Sequence, residues 1–92
     1  MSRNFRITVN YIGRVQEVGF RWQVDDLAQS VSCTGYVKNL RDGSVEVVME
    51  GRKKDLLELI ERIDRQMDGY WQDKTVDQRQ GDAHFAEFSI RY

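Results

Sequence analysis

Phe5, Ile7, Val9 and Tyr11 are apolar and the residues between them polar, the two-residue period of a half-buried strand over residues 5 to 11. Past Gly13 to Gly19 the period lengthens. Phe20, Val24, Leu27, Ala28 and Val31 share one stripe of a helix, and Thr34-Gly35 is expected to end it, with Gly35 as the left-handed residue after the last turn. Residues 36 to 40 and 45 to 49 read as two strands. Asp42-Gly43 between them is a hairpin signal, because the turn needs positive φ. Leu56, Leu59, Ile60, Ile63 and Met67 form a second helical stripe that stops at Asp68-Gly69, with Glu58 and Glu61 placed four residues before Arg62 and Arg65. Residues 70 to 80 show no clear period and read as a short edge strand or a loop. Ala86, Phe88, Ile90 and Tyr92 alternate again, so the chain is expected to close in a strand.

The resulting order is strand, helix, strand, strand, helix, strand. Two amphipathic helices can cover only one face of the sheet, and right-handed connections then favour the split crossover. The expected fold is therefore α+β: a ferredoxin-like βαββαβ sandwich, an antiparallel four- or five-stranded sheet with two helices on one face. A chain of 92 residues supports one core, so residues 1–92 are expected to form one domain. The fold alone names no activity.

Charge narrows the partners. The net charge of -1 gives no overall basic field for nucleic acid or an anionic membrane, so an anion site has to be local. No apolar run approaches a membrane span, and the residues after Met1 do not read as a secretory signal. Cys33 is the lone cysteine and His84 the lone histidine. No internal disulfide or Cys/His zinc cluster can form within the chain, and a cytoplasmic location follows as an expectation.

The candidate chemistry lies in Gly13-Arg14-Val15-Gln16-Glu17-Val18-Gly19-Phe20-Arg21, between a strand and a helix start. Backbone amides at a helix N-terminus lack intrahelical partners and favour anions, and Arg21 in the first turn can add a forked contact to the same anion. The same spacing also suits an ordinary connection with a solvated arginine. Asn39 is the second candidate, since asparagine is a poor strand former; its other reading is a solvent-facing residue near the hairpin.

The blocks Gly13-Arg14-Val15-Gln16, Val18-Gly19-Phe20-Arg21, Gly35-Tyr36-Val37-Lys38-Asn39-Leu40, Asp42-Gly43-Ser44-Val45-Glu46, Glu50-Gly51 and Phe88-Ser89-Ile90-Arg91-Tyr92 stand in an order that resembles the acylphosphatase family almost end to end. The resemblance implies hydrolysis of acyl phosphates without metal, cofactor or covalent intermediate, with acyl phosphate and inorganic phosphate as the small-molecule partners. It implies that Arg21 and the backbone of Val15, Gln16, Glu17, Val18, Gly19 and Phe20 hold the phosphoryl group, and that Asn39 orients the attacking water. Nothing demands more than a monomer.

One position departs from the family pattern Val-Gln-Gly-Val: this chain has Glu17 in place of the glycine. A non-glycine residue held at positive φ costs ~1 kcal/mol or more. A carboxylate ~6 Å from bound phosphate would repel it by ~0.7 kcal/mol at a dielectric of 80 and ~3 kcal/mol at 20. Glu17→Gly should raise kcat/KM if either effect operates, and an unchanged value would show that Glu17 turns outward. The alternative function is thus a non-catalytic anion-binding module of the same fold, impaired by Glu17. An RNA-binding sheet is a third reading, opposed by a strand 45 to 49 without stacking aromatics.

Other residues carry smaller expectations. Trp22 reads as a half-exposed aromatic that could line the acyl side, and Trp71 and Tyr70 as closing one end of the core. Lys38 reads as a solvated strand lysine, Cys33 as a small buried apolar group, and His84 as exposed at the start of the last strand.

Overall fold

The computed structural model describes residues 4–16 and 19–92. Its elements are β1 (Phe5–Gly13), α1 (Phe20–Gln29), β2 (Cys33–Asn39), β3 (Val45–Gly51), α2 (Lys53–Gln66), β4 (Trp71–Gln80) and β5 (Phe88–Arg91). The sheet order is β4-β1-β3-β2-β5, and α1 and α2 lie on one face. This is the ferredoxin-like sandwich.

The alternation in β1 buries Ile7, Val9 and Tyr11, and both helical stripes turn inward: Phe20, Val24 and Ala28 from α1, and Leu56, Leu59, Ile60 and Ile63 from α2. Val37, Val47 and Met49 complete the layer between sheet and helices. The hairpin turns as expected, with Gly43 at φ 93 and the Ser44 N–H donating to Asp42 Oδ1 at 2.9 Å. The two helical ion pairs, Glu58–Arg62 and Glu61–Arg65, are present and exposed, where each contributes only a few tenths of a kcal/mol.

Three expectations change. The sheet is mixed, because β5 runs parallel to β2. The strand that completes βαββαβ is β4, ten residues long, and β5 is a fifth strand added at the other edge. β4 left little trace in the hydrophobic pattern because, past Trp71 and Lys74, which meet Asp64 of α2, its side chains lie mostly in solvent. Charged residues such as Asp73, Lys74, Asp77 and Arg79 suit such an edge, which would otherwise invite pairing with another chain. Gly35, finally, does not end α1, which stops at Gln29. It sits inside β2, where a Cβ would lie 1.9 Å from the Val48 carbonyl oxygen, so the glycine permits close backbone contact between β2 and β3.

Tyr11 closes one end of the core. Its ring meets Phe20 and Trp71, with centroids 5.2 and 5.9 Å away, and its hydroxyl donates to Asp64 Oδ1 at 2.9 Å. Trp71 adds a hydrogen bond from Nε1 to the Asp64 carbonyl at 3.1 Å, whereas Tyr70 is exposed and does not share this role. Burial and the Asp64 carboxylate both drive the Tyr11 hydroxyl toward its neutral form. Tyr11→Phe should cost about 1 to 2 kcal/mol, since Asp64 keeps Lys74 as its partner, and a denaturant titration at constant slope measures it.

Candidate functional site

The last residues of β1 carry a register shift between Ile12 and Gly13, and the Arg14 N–H donates to the Tyr70 carbonyl at 2.8 Å. A bulge of this kind bends a strand end away from its sheet, here into the loop that precedes α1. Val15 is fully buried in the core, so only its backbone can face a ligand. Gln16 spans to the hairpin: its Nε2 donates to the carbonyls of Leu40 at 2.7 Å and Ser44 at 2.8 Å. Leu40 follows Asn39 and Ser44 precedes Val45, the register partner of Asn39, so this amide ties the loop directly beside Asn39. Glu17 and Val18 lie outside the described residues.

Gly19 is the N-cap of α1, in the left-handed conformation at φ 71 and ψ 25, and among the described residues no side chain caps the helix. Among the described residues nothing lies within 4 Å of where a Cβ would stand, and the positive φ by itself favours glycine here. The Gly19 carbonyl accepts the first helical bond from Gln23 N–H at 3.1 Å. The amides of the first turn therefore have no helical acceptors and present partial positive charge to the loop. The Phe20 ring is buried, leaving its amide as the part available to a ligand.

Arg21 projects from that first turn. Its Nη1 donates to the Arg91 carbonyl at 3.2 Å, and its guanidinium lies 4.7 Å from the centre of the Tyr92 ring. Arg91 is level with Lys38 in the parallel β2–β5 pair. The carbonyl that receives Arg21 is thus about one strand spacing (~4.8 Å) across and one residue (~3.3 Å) along from Asn39.

Strand alternation puts Asn39 on the same face as the buried Gly35 and Val37, the face the helices cover. This rejects the solvent-facing reading. The Asn39 Oδ1 is buried and, among the described residues, has no hydrogen-bond partner. Such an orphan costs free energy and calls for a bound group or a function. Lys38, one residue earlier, occupies the opposite face and takes no part in this cluster. Trp22 is more exposed than expected at 64%, and Cys33 is half-buried, its thiol pushed up to about 11 by burial and then by Asp55, which keeps it an inert thiol. His84 lies exposed in the segment before β5.

Gln16, through Leu40 and Ser44, and Arg21, through the Arg91 carbonyl, are thus both tied toward the end of the β2–β3 hairpin that carries Asn39. What the sequence missed is the holding of Arg21 by Arg91 and Tyr92. The Phe-Ser-Ile-Arg-Tyr block was visible, but no local pattern says that a backbone carbonyl of the final strand receives a side chain of the first helix.

A five-stranded mixed sheet with two helices on one face and a glycine-led turn before the first of them defines an α+β sandwich of the ferredoxin-like class. The acylphosphatase family model matches residues 7–90, and the chain belongs to the acylphosphatase family. It is 40% identical to the acylphosphatase of Yersinia pseudotuberculosis across the full length of both chains. It is 49% identical to that of Methanospirillum hungatei over 53 residues, a match spanning 58% of this chain and 57% of that relative. The crystal structure of acylphosphatase from Bacillus subtilis superposes with a TM-score of 0.88 at 31% identity, covering 96% of this chain and 99% of that one.

Proposed function

We propose that the protein hydrolyses acyl phosphates to a carboxylate and inorganic phosphate by direct attack of water on phosphorus, with neither metal nor covalent intermediate. The observation that carries this reading is the Oδ1 of Asn39, buried and without a hydrogen-bond partner among the described residues, on the face of β2 that the helices cover. The amides of the loop and first turn, with the Arg21 fork, hold the equatorial phosphoryl oxygens, where negative charge is concentrated through the displacement. Asn39 Oδ1 accepts a hydrogen bond from the water and aims its lone pair at phosphorus. The P–O bond to the acyl group breaks as the water oxygen bonds to phosphorus. The carboxylate leaves with the electron pair, and the water's proton passes to a phosphoryl oxygen. A carboxylate is a weak base and needs no general acid to depart.

The remaining parts of the proposal are a monomer acting in the cytoplasm, with neither nucleic acid nor membrane as a partner. The lone Cys33 and the near-neutral net charge support them, and among the described residues no helix is long and apolar enough to cross a membrane. Hydrolysis of acetyl phosphate in ¹⁸O-labelled water tests the chemistry. Label is expected in phosphate and not in acetate. Label in acetate would move the attack to the carbonyl carbon, and no release at all would leave the non-catalytic anion-binding reading.

A further inference from the structure

Glu50 is the only buried charged side chain among the described residues, 2% exposed, and the mechanism above does not use it. Its Oε2 accepts from Arg6 Nε at 3.0 Å and Nη2 at 2.7 Å, and its Oε1 accepts the backbone N–H groups of His84 at 2.7 Å and Phe85 at 3.1 Å. Those two residues belong to the segment 81–87, which carries the chain from β4 at one edge to β5 at the other. Burial pushes the Glu50 carboxyl up, but the bonds from Arg6 and the two amides outweigh it and hold the group below its ordinary value, so it remains ionised.

The segment then reaches the phosphate site through contacts on the open face of the sheet. The Phe85 ring stands edge-on to Tyr36 at 5.6 Å, and the Arg91 guanidinium lies 4.2 Å from the Tyr36 ring and 5.3 Å from that of Phe85. The carbonyl of Arg91 receives Arg21. β5 has four residues and one neighbour, to which it pairs in parallel, so its ladder is short, and its register is held on the helix side by Phe88, buried in the core, with Ile90 packed against it. A slip by one residue would carry the Arg91 carbonyl ~3.3 Å along β2 and exchange the two faces of the strand.

We propose that Glu50 is a positioning residue: by fixing the peptide groups of His84 and Phe85 it sets, together with the burial of Phe88, the register of β5 on β2 and so places Arg21 for phosphate. A buried ion pair is a weak source of stability but a good source of a unique arrangement, which is the role assigned here. The catalytic consequence rests on the function proposed above; the structural consequence does not.

Glu50→Gln keeps the shape but loses one of the two sets of bonds, and Phe85→Ala removes the aromatic link while leaving the carboxylate paired. In each folded variant, amide exchange of residues 89 to 91 and the Arg21 Nε–Hε resonance are measured, together with the inhibition constant of inorganic phosphate against acetyl phosphate hydrolysis. The β5 amides are expected to lose protection while those of β1 and β3 keep it, and the Arg21 resonance to move. The phosphate constant should rise roughly tenfold or more, with a smaller fall in kcat, because a displaced clamp weakens anion binding first. Unchanged β5 protection and Arg21 resonance in both variants would overturn the proposal, as would an equal loss of protection over the whole sheet. A wild-type protein that releases no phosphate would refute the catalytic reading alone, and the Arg21 resonance would still decide the role of Glu50.

Discussion

Arg21→Ala is expected to lower kcat/KM for acetyl phosphate at least ~100-fold, the effect of losing about 3 kcal/mol of charge-assisted stabilisation in the transition state. The fold should hardly notice, because the only hydrogen bond lost among the described residues is an exposed one to the Arg91 carbonyl, whose removal costs about 1 kcal/mol or less. Lysine should not rescue the enzyme, since an ammonium has the charge but not the fork. Binding can be read without turnover. With free phosphate at a hundred times its dissociation constant, the wild type gains about 2.7 kcal/mol. For a domain of this size each kcal/mol raises Tm by about 4 to 8 °C, so the shift should exceed ~10 °C. Arg21→Ala at the same phosphate concentration should shift by a few degrees at most; full protection would remove Arg21 from the site.

Asn39→Ala is expected to separate turnover from binding. Its kcat should fall by about 10²- to 10³-fold, as for the loss of one preorganised polar group acting in the transition state, while the inhibition constant of phosphate changes little. Stability should move the other way. The Asn39 Oδ1 is buried without a partner among the described residues, so its removal should relieve a cost of about 1 kcal/mol and the unliganded variant should melt slightly higher than the wild type. A variant with normal kcat, or one that loses phosphate affinity in step with kcat, would refute the assignment of Asn39 to the water.

The parts of the fold that face the core were legible because burial imposes a period. Ile7, Val9 and Tyr11 alternate, and Leu56, Leu59, Ile60 and Ile63 form a stripe, each because a non-polar residue there is removed from water. β4 escaped because its residues are mostly exposed and no such constraint acts on them. Gly35 was misread for a related reason: a glycine shows that backbone needs room, but not whether a helix end or a facing strand makes that demand. Of the site, Arg21 and Asn39 stood out by residue type in an unusual place. The links that hold them, from Gln16 to Leu40 and Ser44 and from Arg21 to Arg91, join residues 24, 28 and 70 positions apart, and no local period records such distances.

Titration of the ¹⁵N-labelled protein with inorganic phosphate tests most directly whether these groups form one site. The backbone amides of Phe20, Arg21 and Trp22, the Arg21 side chain and the Asn39 side-chain amide are expected to shift together, with a single dissociation constant equal to the inhibition constant for acetyl phosphate hydrolysis. Saturation with the Asn39 and Arg21 signals unmoved, or with the changes centred on another face of the sheet, would contradict the account.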